Sequence, residues 1–159
     1  MKFLLVEQAL SIREIKRQLD GLGKNLRLHL IKLFIWRDVV NTSDYWEDEV
    51  VGMIDDLPYV KGSKKFPKTS VIYNSIWGNY KDSFNTKLPN TIKRLMYDYS
   101  SFPKITIEDI SVDNLFTFCE EYCLWLSEYL SKYGSLDVEK AHNRLIGFLK
   151  KYPINKEIN

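Results

Sequence analysis

The spacing of apolar residues along this chain permits few folds other than a helical one. Large apolar side chains recur every three or four positions through most of its 159 residues, and this interval lines one face of an α-helix. Strict alternation, which is typical of a half-buried strand, occurs only briefly over 104–110 and has no second strand to pair with. We therefore predict an all-α fold in which 1–159 form a single domain.

The positions of capping and helix-breaking residues divide this pattern into about seven helices. Gly21 and Gly23 are predicted to end the first helix, and Pro89 to end the fourth. Ser111 is a predicted N-cap and Gly134 a predicted C-terminal stop of the sixth helix. The predicted segments are helices at about 5–22, 25–40, 43–57, 70–87, 92–99, 111–133 and 136–151, a lysine-rich loop near 58–68, and a polar tail from about 153.

Charged residues are grouped into blocks of one sign, although the net charge of the chain is only +2. The net charges are +4 over 1–41, −6 over 42–57, +7 over 61–104, −7 over 105–139 and +4 over 140–159. In a folded protein such blocks form surfaces that attract and orient charged partners. The blocks could instead pair with one another inside the fold, where each surface ion pair contributes only about 0–1 kcal/mol.

Motifs for cofactor binding or catalysis are absent from the sequence. It contains no phosphate-binding glycine loop, dinucleotide fingerprint, HExxH sequence or nucleophile elbow. Cys119 and Cys123 lie one helical turn apart, and we expect them to be reduced, buried thiols. Glu139 and His142 have the spacing of half a di-iron site, but His29 lacks the matching glutamate. We therefore expect no cofactor, no metal and no enzymatic activity.

The same sequence gives an expectation about location. No apolar run approaches the ~20 residues that a transmembrane helix requires. Charged residues interrupt the apolar start of the chain before the core of a signal peptide is complete. We expect a cytoplasmic protein that does not contact a membrane.

The two acidic blocks support the leading hypothesis of function. Tyr45 and Trp46 lie inside the first block, and aromatic anchors ringed by carboxylates can cover a basic active site on another protein. Small immunity proteins that neutralise toxic nucleases work in this way as a class. We therefore expect a non-enzymatic protein that binds a basic protein partner, most concretely an immunity-type inhibitor of a bacterial nuclease toxin. The residues expected to contact this partner are Asp44, Tyr45, Trp46, Glu47, Asp48, Asp55, Asp56, Glu120 and Glu121.

A basic segment over 11–33 supports an alternative hypothesis, a DNA-binding regulator. Two helices joined by a short glycine-containing turn resemble a helix-turn-helix in outline. The second helix would present Lys24, Asn25, Arg27 and Lys32 to phosphates or base edges. An amphipathic hairpin within the protein core would account for the same residues without DNA.

Overall fold

A computed structural model describes residues 2–39, 43–56 and 67–155, with side chains for 13–39, 46–56 and 67–155. Its helices are α1 Lys2–Ile35, α2 Ser43–Asp55, a short α3 Thr69–Tyr73 that continues as a π-helical segment Asn74–Gly78, α4 Lys81–Asp98, α5 Val112–Tyr133 and α6 Val138–Lys151, with a 3₁₀ turn at Ile107–Asp109. The described residues contain no strand, so the all-α prediction is confirmed. Five of these helices have thirteen or more residues, fewer than the seven predicted. Most of the predicted lysine-rich loop, at 57–66, lies outside the described residues.

The first two predicted helices form one continuous helix, α1, so the turn predicted at Gly21 and Gly23 is wrong. A Cβ on Gly23 would lie 2.7 Å from both the Ile76 Cα and the Ser75 carbonyl oxygen of the π-helical segment. Glycine at 23 therefore permits two helical backbones to approach closely, and it does not end the helix. The helix-turn-helix expected over 11–33 is absent for the same reason, because the chain does not turn there.

The boundary between the π-helical segment and α4 also differs from the prediction. The chain leaves the helical conformation at 79–80 and not at Pro89. Three consecutive residues of the π-helical segment, Ser75, Ile76 and Trp77, are buried. An α-helix that buries only one face would expose at least one of three consecutive residues, whereas the wider π-helical turn buries all three. Pro89 lies inside α4, where it removes one backbone hydrogen bond. The helix continues past Pro89 because its buried face extends on both sides of it, at Phe84, Leu88, Ile92 and Leu95.

The core is built around the second half of α1. Residues 31–36 are all buried, so this part of the chain is covered on more than one side. Helix α1 packs closely against α2, the π-helical segment and α5. At its C-terminal end Arg37 donates to the Phe34 carbonyl at 3.2 Å and to the Leu149 carbonyl of α6 at 2.5 Å. Burial lowers the pKa of Arg37 to about 10, and the cation joins the ends of α1 and α6.

Helix α5 has the ends that the sequence predicts. The Ser111 side chain accepts a hydrogen bond from the Asn114 backbone, and Gly134 ends the helix in the left-handed conformation with φ of 72°. Between these ends Cys119 and Cys123 are free and fully buried, as expected. Burial raises the pKa of the Cys119 thiol well above its ordinary value and that of Cys123 to about 12. Both thiols are therefore protonated and unreactive in the folded protein.

Candidate binding groove

The first acidic block lies on α2, and its aromatic residue belongs to the core. Trp46 is 4% exposed and packs among Trp36, Tyr99 and Phe102 with ring centroids 5.3–6.1 Å apart. It is therefore not available as an exposed anchor for a partner. The side chains of Asp44 and Tyr45 lie outside the described residues.

Both histidines of the chain lie against carboxylates of α2. His29 of α1 lies 2.8 Å from a Glu49 carboxylate oxygen. His142 of α6 lies 3.4 Å from Glu47, which is buried, and 3.5 Å from Asp48. Helix α2 is therefore joined to α1 on one side and to α6 on the other by polar contacts. Among the described residues, no group of three or more histidine, cysteine or acidic side chains is placed to hold a metal ion.

The second acidic block also pairs with other parts of the fold. Glu120 accepts a hydrogen bond from the Tyr73 hydroxyl at 3.0 Å, and its carboxylate lies 3.7 Å from the Lys81 ammonium. Burial and this hydrogen bond both raise the pKa of Tyr73. Glu121 accepts from the Tyr152 hydroxyl at 2.6 Å and from Lys151 at 3.4 Å. Both glutamates are half-buried, so neither is a free surface charge.

Three of the carboxylates expected to bind a basic partner lie at the surface of the described residues. The side chain of Asp48 is 78% exposed, Asp56 is exposed and Asp55 is partly so. All three lie on α2 or directly after its end. Among the described residues of this set, the carboxylates at the surface therefore all belong to α2 or follow it directly, and none belongs to α5.

A groove of about 720 Å³ runs between α1 and α4, and its floor is apolar. Leu28 and Ile31 contribute from α1, and Phe84, Leu88 and Leu95 contribute from α4. Leu28 is 38% exposed, which makes it one of the few large aliphatic side chains that the described residues leave open to solvent. Leu28 is therefore the residue of the floor that the described part of the fold leaves open to solvent, whereas Ile31, Phe84, Leu88 and Leu95 lie buried beneath it.

Basic residues stand on both sides of this floor. Lys24 and Arg27 line the α1 side, and Lys87 and Arg94 line the α4 side. Asp98 is the one acidic residue among the groove-lining residues, and its carboxylate lies 3.8 Å from Arg94. The positive charges exceed this single negative charge, so the groove favours an anionic ligand.

Arg27 is the most firmly held of these cations. Its guanidinium donates to the Ile76 carbonyl at 3.0 Å and lies 3.6 Å from the centroid of the Tyr80 ring. Burial lowers the pKa of Arg27 from its ordinary value, but an arginine remains charged at neutral pH. Arg27 therefore joins α1 to the π-helical segment and also contributes charge to the groove.

The structure separates the four residues expected to contact DNA. Lys24 and Arg27 line the groove, and Asn25 is exposed outside its lining. Lys32 is only 4% exposed, and its ammonium donates to the Tyr99 hydroxyl at 2.9 Å beside the Trp46 ring. The expectation that Lys32 contacts DNA is wrong, because the side chain is buried among aromatic rings.

The α4 half of the groove was not recognised from the sequence. Lys87 and Arg94 are seven positions apart, as are Leu88 and Leu95, so each pair lies on one helix face. This signal was available, but the helix boundary predicted at Pro89 divided both pairs between two elements.

The comparisons with known proteins leave the groove as the main evidence on function. No protein-family model matches the chain, and neither the curated proteins nor the solved structures include a match. None of the helices in the described part of the chain combines the length and the apolar composition needed to cross a membrane.

Proposed function

We propose that this chain is a non-enzymatic interaction protein that holds an acidic amphipathic helix of a partner protein in the groove between α1 and α4. One observation carries the proposal: an apolar floor lies between two basic sides, within 720 Å³ of open space. A helix with an apolar face and acidic flanks complements both features at once.

The dimensions of the groove favour a helical segment. From Tyr80 to Tyr99 the groove follows α4, which at 1.5 Å per residue is about 28 Å, or roughly five helical turns. An apolar residue of a bound helix would pack on Leu28, the exposed member of the floor, and its neighbours at i+3, i+4 and i+7 would lie above the buried Leu88 and Leu95. Carboxylates on its flanks would reach Lys24 and Lys87 on opposite sides.

Two observations support a protein partner over nucleic acid. Phe84 is buried edge-to-face against Trp77 at 5.1 Å, and the Tyr80 ring is covered by the Arg27 guanidinium. The third aromatic residue of the groove, Tyr99, packs among Trp36, Trp46 and Phe102, so none of the three rings is an open platform for bases. A polyanion would gain little from the apolar floor.

The groove hydroxyls are consistent with a non-enzymatic role. Ser83 donates to the Tyr80 carbonyl and Thr91 donates to the Lys87 carbonyl, both at 3.1 Å. These hydroxyls are therefore engaged with their own backbone and not with a side chain that could act as a base.

Charge reversal on α4 tests the proposal. The probe is a synthetic helix with leucines on one face and glutamates on both flanks, and its affinity is measured by calorimetry. We expect K87E and R94E each to weaken binding by roughly tenfold or more, because each places a negative charge beside the glutamates of the probe. A tenfold change in Kd corresponds to about 1.4 kcal/mol of binding free energy. K93E is the matched control, because Lys93 is exposed on the same helix but does not line the groove.

Two results would contradict the proposal. The first is equal binding of the acidic helix and of a lysine-flanked version. The second is capture of duplex DNA with K24A and R27A as the sensitive variants, which would support the DNA-binding regulator.

The second candidate function is binding of a basic partner through the exposed carboxylates of α2, and in its most concrete form the chain is then an immunity-type inhibitor of a bacterial nuclease toxin. It is favoured by the exposure of Asp48 and Asp56 at the surface. The variants D48K and D56K should slow association with such a partner and reduce its salt dependence. An unchanged on-rate in both variants would exclude these carboxylates from the interface.

A further inference from the structure

Lys32 is a buried cation for which the described residues provide no counter-charge. It is 4% exposed, and its ammonium donates to the Tyr99 hydroxyl at 2.9 Å. None of the carboxylates in the described part of the chain forms an ion pair with it. The Trp46 and Tyr99 rings lie 5.3 and 4.9 Å from the ammonium, and aromatic rings attract a cation without neutralising it. Because burial of an unpaired charge is costly, this position favours the approach of an anion.

Hydrogen-bond donors at the same position exceed the acceptors. A lysine ammonium has three N–H groups, and the Tyr99 hydroxyl is the one hydrogen-bond acceptor that the described residues offer to Lys32. Since this hydroxyl oxygen accepts from Lys32, its own hydrogen is directed away from the ammonium. No hydrogen bond donated by this hydroxyl is present within the described residues. The Tyr99 hydroxyl is therefore a donor without a partner there, and the ammonium beside it polarises its O–H bond.

Tyr99 connects the buried ammonium with the groove between α1 and α4. It is half-buried and lines one end of the groove, whereas Lys32 does not line it. Arg94 and Asp98 line the same end, and their charged groups pair at 3.8 Å, so the two charges offset each other. Lys32 is therefore the source of unbalanced positive charge at this end, and it acts on a ligand of the groove through the Tyr99 hydroxyl.

We propose that the Tyr99 hydroxyl, with Lys32 behind it, binds a carboxylate of the helix held in the groove. The proposal rests on the function proposed above and adds to it one aspartate or glutamate of the partner, placed at the Tyr99 end. A carboxylate fits this position because its oxygens accept hydrogen bonds and it carries the charge that Lys32 lacks. Ile31 and Leu95 line the groove nearby, so an anion presented by an amphipathic helix fits better than a hydrated free one. Tyr99 is the contacting residue and Lys32 is a positioning residue.

A double-mutant cycle tests this carboxylate site. The probes are the synthetic leucine–glutamate helix and a series of versions in which one glutamate at a time is replaced by glutamine. Y99F and K32M should each weaken binding of the parent helix by roughly tenfold, because a hydrogen bond to a charged group is lost or loses its polarising charge. One glutamine version should bind the wild-type protein about as weakly, and neither Y99F nor K32M should weaken its binding further. A purely structural role of Lys32 or Tyr99 would instead weaken all probes equally.

Three controls accompany the cycle. Y97F should bind every probe as the wild type does, because Tyr97 is 85% exposed on α4 and does not line the groove. K32M should keep the fold, since methionine occupies a similar space among the aromatic rings and removes the buried charge, and its circular dichroism and melting temperature check this. If K32M does not fold, Y99F and the glutamine series complete the cycle.

The possible results separate this site from the function of the groove. Binding that is weakened by K87E, together with an effect of Y99F that is equal for every probe, would overturn the carboxylate site and leave the groove as the binding site. Unchanged binding of the parent helix in Y99F would do the same. A parent helix that does not bind the wild-type protein would overturn both proposals.

Discussion

The close packing of α1 on the π-helical segment predicts opposite effects for two neighbouring glycine substitutions. G21A adds a methyl group where nothing lies within 4 Å, so it should gain the helix preference of alanine over glycine, about 0.5–1 kcal/mol. G23A gains the same preference but forces a Cβ to within 2.7 Å of two backbone atoms. Overpacking of this kind destabilises a protein by about 1–3 kcal/mol.

The two variants should therefore differ by about 2 kcal/mol in the free energy of unfolding. Urea denaturation followed by circular dichroism measures this difference, and with an m-value of about 2 kcal/mol/M it separates the midpoints by about 1 M. G21A should lie above the wild type and G23A below it. If the chain turned at these glycines, G21A would also be destabilising, because alanine opposes the left-handed conformations that such turns use. A stabilising G23A would refute the close approach at Ile76.

Three further predictions concern the core. Cys119 and Cys123 should react with a thiol reagent only after the protein is unfolded in denaturant, and fast labelling of the folded protein would contradict their burial. Since burial raises the pKa of both thiols, the unfolded state ionises first, so the contribution of the two thiols to stability should be constant below about pH 8.5 and be lost as the pH rises towards 12. W46A should destabilise the protein by about 3–5 kcal/mol, because it removes a ring that packs on Trp36 and Phe102. A loss below 1 kcal/mol on urea denaturation would instead place Trp46 at the surface.

Local signals predicted the helical class and the ends of α5, because these depend on periodicity and on single residues. Ser111 and Gly134 act through hydrogen bonds and conformations within a few residues of themselves. The predictions at Gly23 and Pro89 are wrong because the roles of these two residues depend on contacts outside their own sequence neighbourhood. The role of Gly23 depends on the backbone at Ile76, which is 53 positions away, and Pro89 is tolerated because the face of α4 is buried on both sides of it.

The candidate site depended even more on tertiary contacts. Charge alone drew attention to Glu120 and Glu121, but the fold pairs them with Lys81 and Lys151. No local pattern shows which charges of a block will meet an opposite block. The groove combines α1 with α4, which are more than 40 residues apart in the chain at every point of contact. Only the folded arrangement brings these two sides together.

Methyl NMR with a spin-labelled acidic helix is the most direct test of the groove as the binding site. The proposed function predicts that the bound label broadens the methyl signals of Leu28, Leu88 and Leu95, while those of Val50 and Val51 on α2 are unchanged. At the same concentration of the labelled helix, K87E should reduce the broadening and K93E should leave it intact. Broadening centred on α2, or broadening that is equal in K87E and the wild type, would contradict the account.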